Sequence, residues 1–468
     1  MRMSGRVRRC RVAWAMALLG VLALAPGAAK GQSSFGSVGS RGTGLQSGPA
    51  PPPPKEGRFE PIDGKDFTKI EVTDAPFFGA TGDWFGWREA MLDDGIDVRP
   101  KFTQFYQGVA SGGLNRGFRY GVKFDYFGTI EGEKLFGWRG LFINLQGESR
   151  FGESVNDDVG SFVAPNFAMQ FPKATGAASA LSTLQIDQFL TPDLVVTFGK
   201  MNALAAINAH PFIGGNGIDR FMNDAFVFDP IYGRTLPYST PGAGLQYLRD
   251  GEPVFVFQVL DSSGRPDTSG LRQMFRNGVS LFTQVRRPIN PAGLPGAHAM
   301  EIAYASGKYS PLSEDELILL PTVPVDDLVD RSERTNTWAV NYTYEQFLFL
   351  DDEDPGRGWG IFATAGIADQ RTNPVFWKTY FGAAGMSPLP GRTTDSFGVG
   401  YYYLGVSDVL KGLLRKHAPV RDEQIFEMYY NAKIASWFTL TADIQAIDPA
   451  QLNSRTAFLF ALRAKIDF

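Results

Sequence analysis

The sequence predicts an all-β protein, a transmembrane antiparallel β-barrel of about 16 strands with a short N-terminal amphipathic helix. Three observations predict it. An export leader opens the chain. No apolar run after residue 30 is long enough for a spanning helix. From residue 96 onward apolar and polar residues alternate with a period of two.

The leader comes first. Arg2, Arg6, Arg8, Arg9 and Arg11 form a basic head, an apolar stretch runs from Val12 to Ala25, and Gly27, Ala28 and Ala29 are small. A basic head, a short apolar core and small residues are the parts of a secretory signal peptide. The core is shorter than the roughly 20 residues a spanning helix needs. Cleavage after Ala29 and after Gly31 both fit. Residues 30–74 then read as a flexible tether, Gly- and Ser-rich at first and stiffened by Pro51 to Pro54. Residues 75–468 form the barrel domain. At its start, Asp83 to Asp94 fits a short amphipathic helix, with Trp84, Trp87 and Met91 on one side, Arg88, Asp93 and Asp94 on the other, and Gly95 ending it.

The C-terminal segment is the clearest strand. Phe458, Phe460, Leu462, Ala464, Ile466 and Phe468 share one parity, and Arg463, Lys465 and Asp467 the other. Phe438, Leu440, Ala442 and Ile444 likewise oppose Thr439, Thr441, Asp443 and Gln445. Tyr120, Val122, Phe124 and Tyr126 oppose Arg119, Lys123 and Asp125, and Trp338, Val340, Tyr342 and Tyr344 oppose Thr337, Asn341, Thr343 and Glu345. Two places are less clean: residues 254–259 are apolar on both parities, and Gln104 falls on the lipid-facing side. A soluble barrel would alternate in the same way. Strand number and connection length favour the membrane. Candidate strands lie near 96–107, 118–130, 139–148, 182–190, 193–200, 242–250, 252–260, 277–287, 298–307, 337–350, 358–369, 375–386, 395–404, 422–433, 437–447 and 456–468, an even number as bacterial barrels require. With Phe468 at the periplasmic end, 149–181, 201–241, 261–276, 308–336 and 405–421 are long outer loops. The inner turns are mostly short, and 370–374 is a short outer exception.

Composition narrows the function. The only cysteine, Cys10, lies in the leader, so no disulfide or cysteine metal site is expected. His210, His298 and His417 lack metal-ligand spacing, and no cofactor is expected. A formal net charge of −4 without a basic patch gives no sign of nucleic-acid binding. The aromatic content is 13%, with 38 Phe and 16 Tyr, while mean hydropathy is slightly negative. Such a balance suits strands whose every second residue meets lipid. Trp437, Tyr401, Tyr402, Tyr403, Tyr429, Tyr430 and Phe468, at strand ends, read as an interfacial girdle.

The stretch Gly82-Asp83-Trp84 through Trp87-Arg88 and Leu92 to Gly95-Ile96 resembles the opening signature of the carbohydrate-selective porins, the OprB family. The resemblance continues at Ser111-Gly112-Gly113, Lys134-Leu135-Phe136-Gly137-Trp138 and Phe198-Gly199-Lys200. It returns at Pro390-Gly391-Arg392, at Asp395 with Phe397-Gly398-Val399-Gly400-Tyr401-Tyr402-Tyr403, and in the terminal strand. Phe85 departs from it, standing where a glycine is expected. The resemblance implies a 16-stranded outer-membrane barrel that passes sugars, a monomer or homotrimer in outer-membrane lipid. It also implies a terminal Phe468 read by the outer-membrane insertion machinery.

Porins filter by diameter and by lining charge, without covalent chemistry. The resemblance implies that the third outer loop, 201–241, folds inward and narrows the channel. Its polar residues Asn216, Asp219, Arg220, Asn223, Asp224, Asp229 and Arg234 are the candidate constriction and sugar contacts, because Asp, Asn and Arg supply both donors and acceptors. The inward parity adds Arg99, Lys101, Arg119, Lys123, Asp125, Gln146, Glu148, Arg463 and Lys465 as candidate wall, and Phe105 as a candidate stacking ring. Mixed charge favours neutral solutes over a strict ion filter. Alternatives are a general diffusion porin and a structural or adhesive barrel. A hydrolase would need a nucleophile and a histidine base within reach, and no serine motif stands near any histidine. The run Asp351-Asp352-Glu353-Asp354 lacks the spacing of a calcium loop, so neither a catalytic nor a metal site is expected.

Overall fold

A computed structural model of the chain describes residues 79–468, apart from 174–175, 203–209, 310–333, 352–356 and 416–417. The expected leader, the tether, His417 and most of the acidic run lie outside the described residues.

Sixteen strands alternate in direction around one closed sheet. They are β1 (Ile96–Gly113), β2 (Gly117–Glu131), β3 (Leu141–Gly152), β4 (Ala178–Thr191), β5 (Leu194–Asn202), β6 (Ser239–Arg249), β7 (Glu252–Asp261) and β8 (Val279–Ile289). Then follow β9 (Gly296–Tyr309), β10 (Arg334–Leu350), β11 (Gly358–Ala368), β12 (Val375–Met386), β13 (Ser396–Val406), β14 (Glu423–Ala435), β15 (Phe438–Asp448) and β16 (Arg455–Asp467). Each strand pairs with the next, and β1 pairs with β16 from Lys101 opposite Asp467 to Gly113 opposite Arg455, which removes every free edge.

The alternation has the expected sense. Leu459, Ala461, Arg463 and Lys465 of β16 are buried inside, whereas Phe458, Phe460 and Leu462 are about half exposed on the outer face. Gln104, the polar residue out of pattern, does face outward, and its side-chain carbonyl accepts from the Tyr120 hydroxyl at 2.7 Å. The girdle needs correcting at two of its members. Tyr402 and Tyr429 are inward-facing and fully buried, because single-residue alternation sends each away from its neighbours Tyr401, Tyr403 and Tyr430.

Connections at the end holding Gly79 and Phe468 are compact. Asp250 and Gly251, both at positive φ, make the tight β6–β7 hairpin. At the opposite end run the outer loops, here L1 (114–116), L2 (153–177), L3 (203–238), L4 (262–278), L6 (369–374), L7 (407–422) and L8 (449–454). L1 and L8 are short like L6, so among the described loops long-outside holds for L2, L3, L4 and L7.

Among the described residues two helices lie at the inner rim, α1 (Trp87–Asp93) and α2 (Gly132–Phe136). They cover an outward-facing cluster of Ile96, Ile130 and Leu145 together with Leu135. The helix is present, but its buried residue is Arg88, and Trp87 is exposed. The reason is hydrogen bonding: the Arg88 guanidinium donates to the carbonyls of Val98 at 3.2 Å and Phe468 at 3.1 Å, tying α1 across the β1–β16 seam. Gly95 turns the chain from helix to strand at φ +84°, where a Cβ would come within 2.7 Å of Lys134 Cβ. Phe85, in place of the expected glycine, sits at φ +62° and is fully exposed.

Candidate functional site

L3 folds into the barrel because too much of it is apolar to lie in water. Phe212, Ile213, Ile218, Phe221, Met222, Phe226, Val227, Ile231 and Tyr232 are all buried, and each fully buried apolar side chain contributes about 1.5–3 kcal/mol. Inward-facing aromatics receive them. Phe221 meets Tyr429 edge-on with centroids 4.9 Å apart, Phe226 meets Tyr380 at 5.7 Å, and Phe212 packs on Phe347 at 4.8 Å. Glycines on the wall make the room: a Cβ at Gly400 would come within 2.7 Å of the Phe226 ring, and one at Gly360 within 2.6 Å of Phe212.

Polar residues fix this apolar loop in register. Asp219 lies between Lys101 of β1 (3.2 Å) and Lys465 of β16, and its main-chain carbonyl accepts from Asn431 at 2.8 Å. Arg463 donates to Gly217 O at 3.0 Å. Asn223 caps α3 (Asp224–Val227) through Ala225 N and donates to Gln445 at 3.0 Å. Asp229 pairs with Lys378 of β12 and accepts from Ile231 N. Asn216 turns the loop at φ +54°, Asp224 is buried in the first turn of α3, and burial pushes its carboxyl well above the ordinary carboxylate range. Arg234 is half-buried.

Arg220 bonds to the loop's own backbone. It is buried, and its Nη1 donates to the loop's own carbonyls of His210 (2.7 Å) and Ile213. Its geometry is that of a brace inside L3. Phe105 is likewise covered, since Ala168, Met169, Ile218 and Met222 pack over it.

L2 enters as well, which the sequence did not indicate. Glu423 accepts from Phe162 N (2.7 Å) and Val163 N (3.1 Å), Asn166 donates to Gln107 (3.0 Å), and Phe171 stacks on Tyr238 of L3 at 4.1 Å. Arg119 pairs with Asp158 of L2 at 2.8 Å and Arg99 with Asp97 at 2.8 Å, both partly exposed.

On the wall of β2 and β3 a charged group is left with open acceptors. Lys123 Nζ lies 2.7 Å from Glu148 Oε1 and 3.7 Å from Asp125 Oδ1, and the Tyr238 hydroxyl donates to Glu148 Oε1 at 2.6 Å. Neither oxygen of Asp125 nor Oε2 of Glu148 receives a hydrogen bond among the described residues. Gln146, beside them, accepts from Asn202 at 2.9 Å.

A second network was missed. The His210 Nδ1 is 2.7 Å from Glu345 of β10 and its Nε2 is 3.7 Å from Glu301 of β9. Arg286 also pairs with Glu345, and the Tyr232 hydroxyl and Asn341 amide donate to Glu301. Burial would lower the imidazolium pKa, but the Glu345 and Glu301 carboxylates outweigh it and hold it up at about 9. The sequence did carry a signal, the inward series Ala297, Ala299, Glu301, Ala303, Ala305, whose small side chains leave space for a loop. His298 faces outward, against Tyr342.

Known proteins resemble this chain in sequence and fold. The family model described as carbohydrate-selective porin, OprB family, matches residues 115–468. The high-pH structure of Pseudomonas putida OprB superposes with a TM-score of 0.70 at 21% identity, covering 85% of this chain and 100% of that one. The low-pH structure of the same protein gives 0.52 at 16% identity over the same shares. Among curated proteins none matches.

Proposed function

The chain belongs to the OprB family of carbohydrate-selective porins, outer-membrane channels, and we propose that its sugar contacts centre on Lys123, Asp125 and Glu148, opposite a passage narrowed by L2 and L3. One observation carries this reading: among the described residues, three buried carboxylate oxygens on that wall lack hydrogen-bond donors. Leaving such acceptors unpaired costs about 1–3 kcal/mol each, so a polyhydroxylated solute whose O–H donors reach them when the covering side chains shift is held there. The Lys123 ammonium offers donors to ring and hydroxyl oxygens of the same solute. With both signs present, the group favours a neutral solute over either ion.

In this reading Asp219, Arg220, Asn223 and Asp229 act indirectly, by holding L3 at the width that presents the wall to the sugar. Residues 1–29 are a cleaved leader, 30–74 a spacer and 75–468 the channel. Passage is passive, and binding is weak enough to release.

Planar-bilayer recording with a panel of neutral sugars tests this. Asp125→Asn and Glu148→Gln each remove one charged acceptor, so sugar block of the ion current weakens by about tenfold while open-channel steps persist. A general diffusion porin predicts the same sugar insensitivity in wild type and variants. Unaltered block in both variants overturns the assignment of this wall.

A further inference from the structure

L4 does not follow L2 and L3 into the barrel. Lys200 stands on the outward parity of β5, two residues above the exposed Phe198, and its Nζ donates to the carbonyls of Leu181 (2.7 Å), Pro266 (2.8 Å) and Thr268 (2.6 Å). Gly270 presses on Pro241, on the outward parity of β6: a Cβ there would approach Pro241 Cδ to 2.5 Å. At the top of β7, Asp261 gathers the two arms of the loop, accepting from Ser263 N at 2.7 Å and from Phe275 N at 2.6 Å. The loop is thus fastened to the outside of the rim.

What it presents there is unusual for a surface loop. Leu271, Met274 and Phe275 are exposed, Leu271 at 68%. Arg272 and Arg276 alternate with them and are exposed too. Residues 262–278 hold three arginines, the third being Arg265, against one carboxylate, Asp267. Below lie the exposed outward residues Phe198, Leu245 and Phe257 of β5, β6 and β7, so the apolar side chains of L4 extend the surface that meets lipid.

We propose that L4 is a docking flap for phosphate-bearing lipid of the outer leaflet. Apolar side chains interleaved with guanidinium groups match a leaflet whose acyl chains end in phosphates. Guanidinium binds phosphate through paired N–H donors, and the apolar side chains enter the acyl boundary as those of an interfacial segment do. The flap is separate from the sugar wall on β2 and β3, so it does not depend on the proposed sugar contacts.

Native mass spectrometry of the mature protein in detergent, with lipid A and its dephosphorylated form as probes, measures the docking. Wild type retains lipid A in preference to the dephosphorylated form. At about fivefold per arginine near an anionic surface, the Arg272→Ala/Arg276→Ala double variant loses roughly twenty- to thirtyfold of that retention, Arg→Lys at both positions recovers part of it, and single-channel conductance stays at the wild-type value. Full retention by the double alanine variant overturns the proposal, as does equal retention of the two lipids. Complete displacement by inorganic phosphate means a free-anion site and also overturns it. A second readout does not need the alanine variant to fold. The mature chain is expected to lack cysteine, so Ser269→Cys carries a single fluorophore. Quenching by lipids brominated on the acyl chain is expected, and its absence counts against an interfacial flap.

Discussion

Removing the Asp219 carboxylate should loosen L3 more than any other single change to a charged group of that loop. The carboxylate serves two lysines from the two strands that close the barrel, Lys101 on β1 and Lys465 on β16, and the three side chains are only 3–8% exposed. Breaking a buried pair by deleting one partner costs about 3–5 kcal/mol, because the other charge stays buried. Lys465 keeps Asp467 at 3.3 Å as a second partner, which moves the expectation to the lower end, about 3 kcal/mol. Asp219→Asn keeps the shape and removes the charge. Its unfolding in denaturant, followed by gel mobility from vesicles, should move by that amount, and its single-channel current should become noisier as the loop tip detaches from the seam. Asp408→Asn is the control. Asp408 is 80% exposed and 3.7 Å from Lys411, so its loss should cost no more than about 1 kcal/mol. If Asp219→Asn unfolds like wild type and its current is equally quiet, the loop is held by its aromatic packing alone and the ion pairs are incidental.

Two further expectations follow from the same geometry. Arginine on the outer face should destabilise the barrel according to depth: about 2–4 kcal/mol at Leu462, mid-strand in β16, and about 1 kcal/mol at Leu440, near the inner end of β15, measured by denaturant unfolding in vesicles; equal costs would mean the bilayer is misplaced on the barrel. The His210 latch should open with alkali: its imidazolium, facing Glu301, Glu345, Arg286 and Tyr232, titrates near 9 in place of 6.5, so its stabilisation is complete below about 6.5 and is lost as pH rises through about 9. Conductance should step up across that window in wild type and not in His210→Gln, and a step of equal size in the variant would assign the titration to another group.

The strands could be read from the sequence because each obeys a two-residue rule that the bilayer enforces on one side. Phe460 and Leu462 against Arg463 and Lys465 need no knowledge of the rest of the chain. The interior could not be read in that way, since what an inward residue meets is decided by which loop occupies the lumen. The same inward parity holds Lys123 beside open carboxylates, Arg463 braced on Gly217, and Tyr402 and Tyr429 under L3 rings. Strand-end position sent both tyrosines to the girdle, although parity alone would have turned them inward. L3 itself gave an ambiguous signal: its charges suggested a hydrated constriction, while Phe212, Phe221, Phe226 and Tyr232 between them specified a loop packed against the wall. In a loop that must bury this much aromatic surface, the polar side chains are largely taken up by the loop's own backbone and by the wall. Arg220 shows the consequence, spending its donors on His210 O and Ile213 O. The contacts left over for a solute are therefore expected on the strands, where both oxygens of Asp125 and Oε2 of Glu148 are acceptors that no described loop residue reaches.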